Sequence, residues 1–154
     1  MYLKFGKQSD KSVETVILKD PAYIAWALTV RDVKGRLAIV KSEAQRLIRI
    51  FDAKPFLRNC RGLNCTKPAT CLSVYADNVY HPMWWCDDCD PYQMGARDGK
   101  LSMIKTYYDA LLHHIQFHTP KSFLKDLVRT MAMAKGLPKR VGEKEAEEFF
   151  GISF

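Results

Sequence analysis

The stretch NCRGLNC (residues 59–65), followed by WWCDDC (residues 84–89), organises this chain of 154 residues. Together the two stretches give the spacing C-x4-C-x20-C-x2-C. Zn²⁺ prefers four tetrahedral ligands, and two cysteines joined by a tight turn direct both sulfurs at one point. Four thiolates leave no open coordination position, which favours a structural over a catalytic metal. We therefore expect one zinc ion bound by Cys60, Cys65, Cys86 and Cys89.

The residues between the two cysteine turns have the pattern of a β-hairpin. Residues 71–76 alternate apolar with polar or β-favouring side chains, and Asp77-Asn78 supplies a turn. Residues 79–85 then form the return strand, with Pro82 expected at an edge or a bulge. With this hairpin between its cysteine pairs, the segment 60–89 resembles a four-cysteine zinc ribbon.

Other roles for the cysteines stay open at this point. They can be ordinary buried thiols or, in a secreted protein, disulfides. Cys71 is expected to be a small buried thiol, although Cys71 or His81 can also replace one of the four ligands. Because no charged segment followed by an apolar run opens the sequence, we expect a cytoplasmic protein, in which clustered cysteines favour metal.

Length and composition favour one compact domain, residues 1–154, with sub-regions 1–52, 53–99 and 100–154. The expected class is α+β: a small N-terminal hairpin-helix unit, a central zinc-ribbon hairpin and C-terminal helices. No apolar run approaches the length of a membrane span, so no membrane segment is expected. The formal net charge of +7 favours anionic partners, although residues 53–99 carry no net charge.

The first thirty residues predict two strands and a helix. Strands are expected at Met1–Phe5 and Val13–Leu18, and a helix from Pro21 to Val30, capped by the Asp20 carboxylate. Trp26 is expected to be at least partly buried under this hairpin, with Phe5 packed against it.

The segments FGK (residues 5–7) and DPAYIAW (residues 20–26) carry a second resemblance. Residues 1–28 resemble the small domain at the C-terminus of exodeoxyribonuclease X, which also occurs in short proteins named as quorum-sensing-regulated virulence factors. The family has lysine and glycine in the turn where this chain has Ser9 and Asp10. The resemblance implies a non-catalytic, phage or prokaryotic accessory role near DNA. It also implies a surface formed by Phe5, Gly6, Lys7, Tyr23 and Trp26.

Helical periodicity recurs on both sides of the ribbon. A capping-box sequence at Ser42 predicts a helix ended by Pro55, with an inner face at Ala44, Leu47, Ile48 and Phe51. A second helix is expected over Ser102–Gln116, with an inner face at Ile104, Tyr108, Leu111, Leu112 and Ile115. A third is expected over 120–135, buried at Phe123, Leu124, Leu127, Val128 and Met131, and a fourth over Glu143–Phe150, followed by Ile152 and Phe154.

Several basic side chains are candidates for nucleic-acid contacts. Lys121, Lys125 and Arg129 recur every four residues and should form one exposed stripe, which Lys135, Lys139 and Arg140 extend. Lys7, Arg46 and Arg49 complete the candidate set. The alternative is a solvated helix face. His113, His114 and His118 are expected to be surface or interface residues rather than a second metal site.

No phosphate loop, nucleophile elbow or pair of catalytic carboxylates is present, so the sequence predicts a binding module rather than an enzyme. The first hypothesis is a nucleic-acid-binding protein or an accessory in DNA transactions. The second is a protein adaptor or inhibitor that docks on a host enzyme. The third and weakest is a zinc hydrolase with three protein ligands.

Overall fold

The computed structural model describes residues 11–31, 34–75, 78–89 and 101–151. Within these ranges, helices dominate, and three short strands form one antiparallel sheet. This arrangement is the expected α+β class. In chain order the elements are α1 (Val13–Lys19), α2 (Pro21–Thr29), α3 (Arg36–Ala53), β1 (Cys71–Tyr75), β2 (Asn78–Trp85), β3 (Leu101–Ile104), α4 (Tyr107–Phe117), α5 (Lys121–Ala134) and α6 (Glu143–Phe150).

Helix α1 occupies the segment expected to be a strand over Val13–Leu18, so that expectation is wrong. Ser12 caps the helix, since its hydroxyl accepts a hydrogen bond from the backbone N–H of Thr15 (3.1 Å). The Ser12 hydroxyl also donates to a carboxylate oxygen of Glu143 on α6 (2.5 Å). The β-branched side chains of α1 locally favour a strand. Because the helix is buried on nearly all sides, it has no polar face, and the sequence therefore lacks the helical periodicity that would have opposed this preference. The partner strand expected at Met1–Phe5 lies outside the described residues.

Helix α2 begins at Pro21, as expected. Asp20 lies at the N-cap position, but its side chain makes no capping hydrogen bond, which corrects the predicted role of its carboxylate. Trp26 is 51% exposed and contacts Tyr23, with the ring centroids 5.5 Å apart. Trp26 is therefore about half exposed rather than part of the core, and the second strand of the hairpin expected to cover it, Val13–Leu18, is the helix α1. Phe5 lies outside the described residues.

Helix α3 begins at Arg36, six residues before the expected start at Ser42. Gly35 precedes it with a φ of +66°, a conformation that glycine adopts without strain. The added turns bury Val40, so tertiary contacts extend the helix past the local capping sequence. The inner face is as expected, and the helix ends before Pro55; the buried face comprises Ala44, Leu47, Ile48 and Phe51.

The sheet has the strand order β2-β1-β3 and confirms the hairpin between the cysteine turns. Leu72 on β1 pairs with Trp84 on β2 and with Ile104 on β3. The β1–β2 register shifts between Ser73 and Tyr75, so the edge strand β2, which contains Pro82, carries extra residues there. Proline has no backbone N–H to donate to a neighbouring strand, so it is tolerated at an irregularity in an edge strand.

Strand β3 begins where a helix was expected, so the predicted start of that helix at Ser102 is wrong. Leu101–Ile104 pairs along β1, and α4 begins only at Tyr107. Thr106 and Asp109 form a reciprocal capping box, each side chain accepting from the other's backbone N–H.

Helix α4 buries a different face from the one expected. Tyr107, Ala110 and Leu111 face the core, whereas three apolar side chains of the expected inner face are exposed: Tyr108, Leu112 and Ile115. Apolar residues occur on almost every side of this helix, so periodicity alone does not select the buried side. Packing of α4 against α5 and β3 makes the selection.

The core is one hydrophobic cluster that includes residues of the sheet and of all six helices. Helices α5 and α6 match the expected segments, with Phe149 and Phe150 buried. The apolar face expected on α5 is buried, and it comprises Phe123, Leu124, Leu127, Val128 and Met131. Phe56 and Trp84 join the ribbon to the helices, with ring centroids 4.9 Å apart. The residues expected to fold back after α6, Ile152 and Phe154, lie outside the described residues.

Lys135, expected to extend an exposed basic surface, is buried instead. Its ammonium group donates hydrogen bonds to the carbonyl oxygens of Phe51 (2.8 Å) and Lys54 (2.7 Å). Both carbonyls lie at the C-terminal end of α3, where the Phe51 carbonyl also accepts a hydrogen bond from the N–H of Lys54 (3.2 Å). The aliphatic stem can be buried because the charged group replaces water at the end of α3.

Candidate metal centre

The first cysteine turn, Cys60–Cys65, is built by backbone hydrogen bonds that position both sulfurs. The N–H of Gly62 donates to the Cys60 sulfur (3.3 Å), and the N–H of Cys65 donates to the Gly62 carbonyl (3.1 Å). Asn64 closes the turn with a φ of +58°, in the left-handed region that asparagine tolerates better than most residues. Leu63 at its tip is almost fully exposed.

Gly62 is required by close approach to the second cysteine turn, Cys86–Cys89. A Cβ atom at position 62 would lie 2.7 Å from the sulfur and 2.9 Å from the Cβ of Cys89. Both distances are well inside van der Waals contact. The glycine in the sequence CRGLNC therefore lets the two turns meet.

The two turns are held together through the sheet. The N–H of Cys89 donates to the Cys86 carbonyl (3.3 Å) and closes the second turn. The N–H of Arg61 donates to the carbonyl of Trp84 (2.9 Å), and the N–H of Thr70 donates to that of Trp85 (2.9 Å). The end of β2 is thereby fixed against the first cysteine turn and against the chain that follows it.

Four sulfurs converge at this junction: those of Cys60, Cys65, Cys86 and Cys89 lie within 4.8 Å of one another. The sulfurs of Cys65 and Cys86 are 3.9 Å apart. A tetrahedron with Zn–S bonds of about 2.3 Å has edges of about 3.8 Å, whereas a disulfide requires about 2.05 Å. The four cysteines can hold a metal ion, and all five cysteines of the chain are free thiols.

The environment favours thiolate at one of the four positions. Burial opposes ionisation of Cys60, but hydrogen bonds from the backbone N–H groups of Cys86 and Gly62 outweigh it and lower the pKa of Cys60 to about 7. Hydrogen bonds with the sulfurs of Cys65, Cys86 and Cys60 raise the pKa of Cys89 to about 12. A bound dication would lower the pKa of all four thiols, because metal binding requires deprotonated sulfurs.

Ion pairs surround the second cysteine turn. Lys67 pairs with Asp88, and Lys105 lies 3.6 Å from Asp87. The hydroxyl of Thr70 also donates to Asp87 (2.6 Å). These exposed contacts link the loop after the first turn, and the segment after β3, to the second turn.

No family model, curated protein or solved structure matches this chain. The metal centre therefore stands on its geometry. Among the described residues, no helix is both long and apolar enough to cross a membrane.

Of the two other candidate ligands, Cys71 is not part of the four-cysteine group. Cys71 is a buried thiol, as expected, and its sulfur lies 3.5 Å from the carbonyl of Trp85. The side chain of His81 lies outside the described part of the chain.

The histidines of α4 do not form a metal cluster within the residues described. His113 is buried rather than on the surface, which corrects the expectation. Its Nδ1 shares a hydrogen bond with Ser102 (2.7 Å), and its ring stacks on Phe123. His114 is bonded to Thr119 (2.8 Å), and exposed His118 ends the helix with a φ of +51°.

The candidate nucleic-acid residues fall into separate groups. Lys121, Lys125 and Arg129 are all exposed on α5, opposite its buried stripe. Arg46 and Arg49 are exposed on α3, where Arg46 pairs with Glu43 and lines a different cavity. Lys7 lies outside the described residues.

Lys125 and Arg129 line a cavity of about 360 Å³, called here the basic cavity. Its remaining lining comes from the end of α1 and the segment between α5 and α6: Leu18, Lys19, Leu137, Lys139, Arg140 and Val141. Five of the eight described lining residues are cationic and none is acidic. Lys19 was not among the predicted binding residues, because its distance from α5 in sequence gives no indication of contact.

Proposed function

We propose that the protein is a non-catalytic zinc-ribbon protein that binds nucleic acid, or acts as an accessory in DNA transactions, with one Zn²⁺ per chain. Cys60, Cys65, Cys86 and Cys89 would hold the metal. The fit of their sulfur spacing to a zinc tetrahedron supports this identity. A bound zinc would supply a cross-link between the two cysteine turns, not a reactive centre.

A structural role for zinc follows from the closed site. A catalytic zinc keeps one position for water or substrate, and four convergent thiolates fill all of them. A closed four-thiolate site disfavours the zinc hydrolase hypothesis. Since the hairpin of the ribbon is too small to supply a core of its own, removal of zinc should unfold at least residues 60–89.

Nucleic-acid binding rests on one observation: the basic stripe of α5 runs into the basic cavity. Lys121, Lys125 and Arg129 are spaced one helical turn apart, and the cavity adds Lys19, Lys139 and Arg140 beside them. Lysine and arginine that neutralise phosphates release counterions, which supplies sequence-independent affinity. Cations grouped on one surface are the electrostatic feature that such binding requires.

The test is a charge-loss comparison at matched net charge. The variant Lys121→Ala/Lys125→Ala/Arg129→Ala is compared with Lys11→Ala/Arg58→Ala/Lys144→Ala, which removes three exposed cations outside the stripe and the cavity. We expect the stripe variant to fold, to weaken binding to every DNA sequence alike, and to lower the salt slope of log K by about 2 to 3. Equal affinity and equal slope for the two variants at low ionic strength would refute the proposal.

Metal identity has its own test. Elemental analysis should give one zinc per chain, and Cys60→Ser and Cys89→Ser variants should lose it. Variants that fold and retain zinc as well as the original chain would exclude these residues as ligands.

A protein adaptor is the second candidate, and the exposed apolar face of α4 favours it. Leu112 is 60% exposed, with Tyr108 and Ile115 beside it on the same side of the helix. Salt-dependent retention on DNA-cellulose separates the two functions. Failure of the zinc-loaded protein to bind at low ionic strength would leave the adaptor.

A further inference from the structure

The basic cavity combines an apolar floor with a cationic rim. Leu18 and Leu137 are almost completely buried, and partly buried Val141 lies beside them. Lys125 extends to the rim from α5, where its side chain is exposed to solvent. A ligand that fills the cavity must therefore present an apolar body and negative charge together.

Hydrogen bonds connect the three chain segments around the cavity. The ammonium group of Lys19 donates to the carbonyl of Val141 (2.6 Å), which joins α1 to the segment before α6. The guanidinium group of Arg129 donates to the carbonyl of Lys139 (3.4 Å), which joins α5 to the same segment. The rim is thus formed by the folded chain and does not depend on a ligand for its arrangement.

Size and chemistry restrict the ligand. Small-molecule sites have volumes of roughly 300–1,000 Å³, and the basic cavity of about 360 Å³ lies in this range. Inorganic phosphate would use the rim but leave the apolar floor without a contact. A duplex presents phosphates outward and keeps its bases stacked inside, so no base of an intact duplex reaches the floor. An unpaired nucleotide has both a phosphate and a free base face.

We infer that the basic cavity binds one unpaired nucleotide of a single-stranded nucleic acid, with its base over Leu18, Leu137 and Val141 and its phosphates on the rim. This inference rests on the proposed nucleic-acid binding. The neighbouring nucleotides follow the basic stripe, since Lys121 lies about 12 Å along α5 from Arg129 and continues the cationic surface beyond the cavity.

The experiment uses the full zinc-loaded chain, two labelled nucleic-acid probes and two competitors. A fluorescein-labelled oligothymidine strand and a blunt hairpin duplex of similar charge report binding by anisotropy at low ionic strength. Thymidine monophosphate and inorganic phosphate serve as competitors, which separates recognition of a nucleotide from recognition of its phosphate. We expect the single strand to bind at least about tenfold more tightly than the duplex, because burial of on the order of 55 Å² of apolar base surface suffices for that factor. The monophosphate should compete at concentrations where phosphate does not.

Two variants locate the effect. Val141→Asp places a negative charge at the floor and should weaken single-strand binding about tenfold or more, with a smaller effect on the duplex. Lys139→Ala/Arg140→Ala removes two exposed rim cations and should also weaken single-strand binding, which keeps the cavity testable if Val141→Asp does not fold. Lys11→Ala/Lys144→Ala is the matched control, because both lysines are exposed and neither lines the cavity.

The outcomes separate this inference from the proposed function. Equal affinity for single strand and duplex, or equal competition by phosphate and the monophosphate, would overturn the inference while nucleic-acid binding stood. Unchanged single-strand affinity in both cavity variants would do the same. If neither nucleic acid bound, or if phosphatidylglycerol vesicles bound in their place, the proposed function and the inference would both fail.

Discussion

Replacement of Lys135 by methionine should change how the stability of the protein depends on pH. Lys135 is 8% exposed, and its ammonium group lies over the rings of Phe51 (4.8 Å) and Phe56 (4.5 Å) while it donates to two carbonyls at the end of α3. Lys135→Met keeps a long unbranched side chain in this space and removes the titratable group.

The magnitude follows from the pKa of Lys135. Burial lowers it to about 8, against 10.5 for an unperturbed lysine, although nearby Asp52 opposes the shift. Each pKa unit corresponds to about 1.4 kcal/mol, so the burial of this charge costs up to about 3 kcal/mol. Between these two pH values the unfolded chain binds more protons at this position than the folded protein. The contribution of Lys135 to stability therefore rises as the pH increases from 8 to 10.5.

Urea unfolding of the original chain and of Lys135→Met, measured from pH 7 to 11 with zinc in excess, tests this. The two proteins share every other titrating group, so the difference between their unfolding free energies isolates Lys135. That difference should shift in favour of the original chain by up to about 3 kcal/mol across the window. Parallel curves, or a shift in favour of the variant, would refute the reasoning.

Three further predictions concern the metal site, the core and a helix cap. Gly62→Ala should lower zinc affinity by about 10- to 100-fold, because the added Cβ would displace the Cys89 sulfur, and a zinc–ligand distance can depart from its ideal value by only about 0.2 Å. Competition with a chromogenic chelator measures this affinity. Tyr107→Phe should cost about 1 to 2 kcal/mol in urea unfolding, since the buried tyrosine hydroxyl donates to the Ile17 carbonyl (2.8 Å). Burial opposes ionisation of Glu143, yet hydrogen bonds from Ser12 and Thr15 lower its pKa. The original chain should therefore be more stable than Glu143→Gln, and this advantage should disappear as the pH falls through the lowered pKa. Thermal unfolding of both proteins at several acidic pH values measures it.

Each of these predictions has a contrary outcome. Gly142→Ala is the control for Gly62→Ala, since its added Cβ meets only a carboxylate oxygen at 3.5 Å; equal zinc affinity in the two variants would contradict the close-approach argument. A neutral Tyr107→Phe substitution would mean that the hydroxyl contributes nothing to stability. An advantage over Glu143→Gln that persists at acidic pH would separate the cap from the charge of that carboxylate.

The elements that the sequence determined are those set by local rules. Pro21 marks the start of α2, because its missing N–H costs nothing at the first helical position. Helix α5 buries one continuous apolar face, so its periodicity has a single interpretation. Alternating residues on both sides of a short turn likewise predicted the β1–β2 hairpin. In each case neighbouring residues supply the decisive interaction.

The errors occur where apolar residues surround an element. Helix α1 is buried on nearly all sides, so its β-branched residues suggested a strand, and α4 is apolar on both faces, so its buried face was assigned wrongly. Strand β3 depends on pairing along β1, about thirty residues earlier in the chain. Lys135 was predicted to be a surface cation, because its neighbours in sequence give no sign that it lies against the end of α3. Local sequence patterns give no information about these contacts, because the contacting residues are distant in sequence.

The candidate sites divide in the same way. Cysteine spacing alone selected Cys60, Cys65, Cys86 and Cys89, because two short turns constrain each pair of sulfurs and a hairpin brings the pairs together. The basic cavity is assembled from α1, α5 and the segment after α5, and only tertiary packing brings Lys19 to Lys125 and Arg140. A binding motif can be recognised in a sequence when its residues are fixed by nearby backbone geometry. A cavity between distant elements requires the fold, because its shape depends on how whole helices pack.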